Sequence, residues 1–90
     1  MGTSKFPLGQ TVITPNARDQ IHPADVPIAL NRHASGDWGD VDEHDRRENE
    51  ESLAQNLRLF SLYHDRGRVK FWIITQADRS ATTVLLPEDY

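Results

Sequence analysis

The sequence predicts an α+β fold, a single two-layer domain with N-terminal helices packed on a three- to four-stranded antiparallel sheet. Three features predict it. The N-terminal half is punctuated by proline and places Val26, Ala29, Leu30 and His33 at i, i+3, i+4 and i+7, one face of a helix. From Leu57 the period changes to two, and the runs on either side of Asp65-Arg66-Gly67-Arg68 form a hairpin closed by a glycine-bearing turn. A third β-branched and apolar run, residues 82–86, ends at Pro87 and completes a C-terminal β-meander.

In chain order, residues 1–8 show no periodicity and read as a flexible start. Thr11-Val12-Ile13-Thr14 is β-branched and suits a short edge strand. Thr14-Pro15 then has the form of a helix start, threonine as N-cap and proline in the first turn. A second helix begins after His22-Pro23, carries Pro27 in its first turn, and is placed to end in a left-handed conformation at Gly36.

Gly36-Asp37-Trp38-Gly39-Asp40 is a tight loop with tryptophan between two glycines. Asp40 or Asp42 caps the next helix, residues 42–55, and Asp40 with Glu43 has capping-box spacing. Glu43 with Arg47 and Arg46 with Glu50 stand one turn apart on its outer surface. Its apolar face is thin, with only Leu53, Ala54 and Leu57 near the end. In the strands, residues 57–64 and 69–75, the alternation sets Val69, Phe71 and Ile73 on one face of the middle strand and Trp72 and Ile74 on the other. That strand is therefore expected to be central and covered on both sides, the helices supplying at least one cover.

Ninety residues make one domain with one core, and 37% apolar with 27% charged residues is ordinary for a globular chain. The absence of cysteine excludes disulfides and thiolate metal sites. No apolar run is long enough to span a bilayer and no basic-then-apolar leader follows Met1, so the expectation is a cytoplasmic protein without a membrane partner. An exposed strand at either sheet edge leaves a homodimer open.

The net charge of −4 is unevenly spread. Asp37, Asp40, Asp42, Glu43, Asp45, Glu48, Glu50 and Glu51 face only Arg46 and Arg47 in residues 37–51, so that segment is about six units negative and the rest about two units positive. This balance argues against a protein that coats nucleic acid. Arg58, Arg66, Arg68 and Lys70, with Tyr63 and Trp72 as stacking partners, make only a modest basic patch.

So many carboxylates invite a calcium loop, but a frame starting at Asp40 puts Asp45 where the turn needs glycine, and the frame fails. His22, His33, His44 and His64 lie on four elements without the spacing of a zinc site, so neither metal nor other cofactor is expected. His33, Asp37 and Arg79 could be grouped as base, orienting acid and phosphate or oxyanion holder of a small metal-independent nuclease or toxin-like enzyme, although no spacing compels that grouping.

The strings RHASGDWGD and DRRENE, then RLFS with a tyrosine two residues on, then WIITQADRSATTVLLPEDY, resemble a family of small bacterial proteins often carried on plasmids and other mobile elements. The similarity runs from Leu8 to Tyr90. Asn56 stands where members often have glycine, and asparagine also takes the left-handed conformation of a helix end. The resemblance implies mobile-element origin and assigns no activity. With the charge pattern it gives the leading expectation of a non-enzymatic module that binds, and inhibits, a host or defence protein that targets nucleic acid. The binding residues would be Asp37, Trp38, Asp42, Glu43, Asp45, Glu48, Glu50 and Glu51, meeting a basic protein surface, with Trp38 either an interface anchor or a plug between helices and sheet.

Overall fold

The computed structural model describes residues 4–90. Helix α1 (Pro15–Gln20) starts where the Thr14-Pro15 pair predicts, the Thr14 hydroxyl accepting the Ala17 N–H at 3.1 Å. Helix α2 (Asp25–Ala34) buries Ala29 and His33 on the predicted face, and Gly36 follows with φ of 82°. Helix α3 (Glu43–Gln55) is capped by Asp42 rather than Asp40, its carboxylate accepting the Asp45 N–H at 2.8 Å, and closes at Asn56 in the left-handed region.

Four strands form one sheet: β1 (Gln10–Ile13), β2 (Leu59–His64), β3 (Lys70–Thr75) and β4 (Ala81–Leu85), in the order β1-β4-β3-β2. β2, β3 and β4 are the antiparallel meander the sequence predicts. β1 corrects the expectation of a wholly antiparallel sheet, because it pairs with β4 in parallel, Val12 opposite Thr83. The helices between β1 and β2 carry the chain from one edge of the sheet to the other, and the meander then brings β4 back beside β1 running the same way. Gly9 permits the approach. Its φ is 65°, and a side chain there would overlap the carbonyls of Arg79 and Ser80.

Period-two alternation divides the sheet into two unlike faces. Tyr63, Phe71, Ile73 and Val84, all fully buried, meet Ala17, Ile21 and Ala29 from α1 and α2. Each large side chain so buried contributes roughly 1.5–3 kcal/mol. A second cluster joins Phe6, Trp38 and Leu59, with Leu53 of α3 packed against it. Residues 1–3 of the expected flexible start lie outside the described residues, and Phe6 departs from it, being buried and stacked on Trp38 with ring centroids 6.2 Å apart. The opposite face carries Phe60, Trp72 and Ile74, of which Phe60 and Trp72 are only half-buried. A 3-10 turn (Pro87–Asp89) ties the chain end to α1, Asp89 accepting hydrogen bonds from Thr14 and Asn16.

The outer edge of β2 is closed by side chain and loop. The Asn49 amide, on α3, donates to Phe60 O at 2.5 Å and accepts from Phe60 N–H at 3.0 Å, taking the place of a neighbouring strand. Two residues on, Leu62 N–H donates to Trp38 O and Leu62 O accepts from Asp40 N–H, a parallel bridge at Gly39. A side chain at Gly39 would overlap Leu62 O. No helix among the described residues is long and apolar enough to cross a membrane.

Because Asn49 satisfies two backbone groups of Phe60 at once, Asn49→Ala should cost about 2–4 kcal/mol in urea unfolding. Glu51→Ala, exposed on the same helix, should change stability by less than about 0.5 kcal/mol.

Candidate functional site: an acidic helix and an aromatic groove

α3 owes its position to three attachments, since thirteen residues with so little apolar surface make a marginal helix in isolation. Asn49 holds the β2 edge, Leu53 joins the Trp38 cluster, and Glu50 accepts the Trp38 indole N–H at 2.7 Å. Arg46 binds Glu43, Nε to Oε2 at 2.9 Å, rather than the expected Glu50, whose carboxylate is engaged by the indole. Arg47 reaches the same Glu43 at 3.3 Å, as the spacing predicts.

Each predicted binding residue now has a place. Trp38 is 3% exposed and forms the plug between α3 and the sheet, which leaves it no surface with which to anchor a partner. Asp37 is bound by Arg32 at 2.7 Å and accepts the Gly39 N–H, and the guanidinium holds its carboxyl below the ordinary value. Glu43 is likewise held low by Arg46. Asp42 is the cap, Asp45 and Glu48 face a groove, Glu50 is committed to Trp38, and Glu51 is exposed. Asp40 contacts His64 Nδ1 at 2.8 Å. Among the described residues, no lysine or arginine forms an ion pair with Asp42, Asp45, Glu48, Glu50 or Glu51.

Beside that acidic run lies a groove of about 490 Å³ between α3 and the sheet face that α1 and α2 leave uncovered. Phe60, Trp72 and Tyr90 form an edge-to-face series with centroids 5.2 and 5.7 Å apart. Arg58 donates to the Tyr90 hydroxyl at 2.9 Å and stands 5.8 Å from its ring centre. The Trp72 indole nitrogen is buried without an acceptor. Sequence reading missed this groove. Alternation puts Phe60, Trp72 and Ile74 on one face, but it cannot say which face the helices leave open.

The expected basic patch is dispersed. Arg66 is drawn to Asp25 at 2.8 Å, where its hydrogen bonds hold that carboxyl down at about 2, and Tyr63 is buried with its hydroxyl on Asp37 O. His33, Asp37 and Arg79 each hold other partners. Arg79 takes φ of 62°, and its guanidinium donates to Leu57 O at 2.6 Å, just past α3, and to Ser52 O at 3.1 Å, in its last turn. None of the three hydrogen-bonds to another.

His33 instead sits at 0% exposure in a line of hydroxyls. The donor directions follow from one fixed end. Thr82 Oγ1 donates to Leu8 O at 2.7 Å, so it accepts from Thr75 Oγ1 at 2.7 Å. Thr75 must then accept from His33 Nε2–H at 2.8 Å, and because burial favours the uncharged ring, Nδ1 accepts from Ser61 Oγ–H at 2.6 Å. The imidazole is therefore neutral with its proton on Nε2. A serine hydroxyl at an imidazole nitrogen has the makings of a nucleophile, yet Ser61 is also fully buried and no substrate reaches it.

Burial, with a smaller contribution from the Arg79 charge, lowers the His33 pKa from 6.5 to about 3. Between these values the unfolded chain binds a proton that the folded chain does not, so stability is complete above pH 6.5 and falls as the pH drops. Urea titrations between pH 6 and 4.5 should lose about 1.4 kcal/mol per pH unit, and His33→Gln should lose most of that slope. Comparison with protein-family models, curated proteins and solved structures finds no match to the chain.

Proposed function

We propose that this chain is a non-enzymatic protein-binding module of mobile-element origin whose α3 face meets a basic surface on a protein partner. The observation that carries this reading is the set of exposed carboxylates along α3 without lysine or arginine partners among the described residues, on a helix fixed to the sheet by Asn49, Glu50 and Leu53. A rigid negative ridge speeds encounter with a positive surface and loses little entropy on docking. Where the partner's positive surface normally grips nucleic acid, occupancy by α3 would exclude the phosphates, which makes inhibition of a nucleic-acid-targeting host or defence protein the specific form of the proposal.

The competing enzymatic reading has its three residues committed elsewhere: His33 to hydroxyls, Asp37 to Arg32, and Arg79 to carbonyls.

The test is capture of the partner from host extract by the wild-type chain and by Glu48→Lys/Glu51→Lys, which reverses two charges while leaving the Glu50 bond to Trp38 intact. Capture should fall at least tenfold in the variant, about 1.4 kcal/mol, and the wild-type association rate should drop as salt is raised. Equal capture by the two proteins, with no dependence on salt, would remove the proposal.

A further inference from the structure

Two carboxylates of the acidic ridge do more than face solvent. Asp45 and Glu48 stand one turn apart at the rim of the groove whose other residues include Phe60, Trp72 and Tyr90. Neither has a lysine or arginine partner among the described residues; Glu48 has only His44 at 3.4 Å. The cation inside the groove, Arg58, is already held by the Tyr90 hydroxyl and ring. With two carboxylates against that one guanidinium, the groove keeps a net negative charge beside aromatic rings, the combination that favours an organic cation.

Trp72 adds an independent observation. Of the two indole N–H groups, that of Trp38 has Glu50 as acceptor while that of Trp72 is buried with none. A buried donor without an acceptor destabilises the fold, and because the Trp72 ring is itself only half-buried, a small shift of the indole on binding would open its nitrogen to a main-chain carbonyl of a neighbouring chain. At about 490 Å³ the groove is within the range of ligand sites.

We propose that this groove takes an extended arginine- or lysine-bearing segment of a protein partner, with the cationic head group between Asp45 and Glu48 and a peptide carbonyl on Trp72 Nε1–H. This rests on the reading of α3 as a protein-binding face and names where and how the partner is gripped. Single-stranded nucleic acid, the other polymer that stacks on aromatic side chains, is disfavoured because its phosphates would meet the same two carboxylates.

The test is titration of the full ¹⁵N-labelled chain with acetyl-Gly-Arg-Gly-Arg-Gly-amide, following the two indole resonances, with the glutamate analogue of that peptide and oligothymidylate as controls. The Trp72 indole should move downfield and saturate with the arginine peptide alone, while the Trp38 indole stays in place. Trp72→Phe should bind about fivefold to tenfold more weakly. The same substitution should unfold at an equal or higher temperature, because it removes an unpartnered donor while keeping a ring. Asp45→Asn/Glu48→Gln should abolish saturation.

Saturable peptide binding that leaves the Trp72 indole unmoved, with unchanged affinity in Trp72→Phe, would overturn the groove assignment while the acidic-ridge reading stands. Absence of saturable binding, equal response to the glutamate peptide, or a response to oligothymidylate alone would overturn it as well. Failure of the broader reading shows separately, as partner capture indifferent to reversal at Glu48 and Glu51.

Discussion

The amide of Asn49 on the outer edge of β2 is the contact on which the rest of this architecture depends. A strand edge leaves backbone donors and acceptors unpaired, and here one side chain satisfies both groups of Phe60 while the bridge at Gly39 satisfies those of Leu62. The same attachment solves a second difficulty. α3 has too little apolar surface to be held by burial, and its acids repel one another, so it needs a directional anchor. Closing the sheet edge at Phe60 and docking the acidic helix are one event, and the outward backbone groups of Phe60 and Leu62 are already paired.

The interior shows a comparable trade. Ser61, Thr75 and Thr82 on the helix-facing side of the sheet, and His33 on α2 opposite them, occupy buried positions where leucine or valine would pack without polar atoms. Their hydrogen bonds run in one direction from Ser61 to the carbonyl of Leu8, so every donor finds an acceptor and the cost of burying them is offset only while the whole line is intact. The line ends on the segment before β1. It therefore couples α2, β2, β3, β4 and the N-terminal segment through a geometry that apolar packing alone would leave less defined.

Much of this was legible in the residues themselves. Thr14-Pro15, Gly36, Asp42 and Asn56 mark helix ends because their chemistry is local: a hydroxyl or carboxylate for nearby N–H groups, a missing proline N–H, a tolerated positive φ. The hairpin and the faces of β3 were equally plain. What could not be read depended on distant partners. The parallel pairing of β1 follows from where the helices deliver the chain, and the use of Arg79 follows from carbonyls 22 and 27 residues away. Trp38 was ambiguous because a tryptophan between glycines suits an exposed loop and a plug equally well. Glu50, in a run of acids, gave no sign that it alone would accept the Trp38 indole N–H.

That bond is one of several that divide the acidic segment by role. Asp37 and Glu43 are neutralised by arginines, Asp42 serves the helix start, and Glu50 fixes the indole beneath. The charge left over is narrower than the sequence suggests and lies where α3 borders the aromatic face, at Asp45 and Glu48, with Glu51 exposed further along the helix. A helix stabilised by its own charges would place acids in the first turn and bases in the last, yet α3 has no base in its last turn, and there the neutralising group is the guanidinium of Arg79 from the β3–β4 turn. Helix stability therefore accounts for Asp42 and the acids of the first turn but not for Glu48 or Glu51. Glu48 and Glu51 are thus not needed for helix stability, and with Asp45, which lines the groove from the first turn, they are the carboxylates open to a partner.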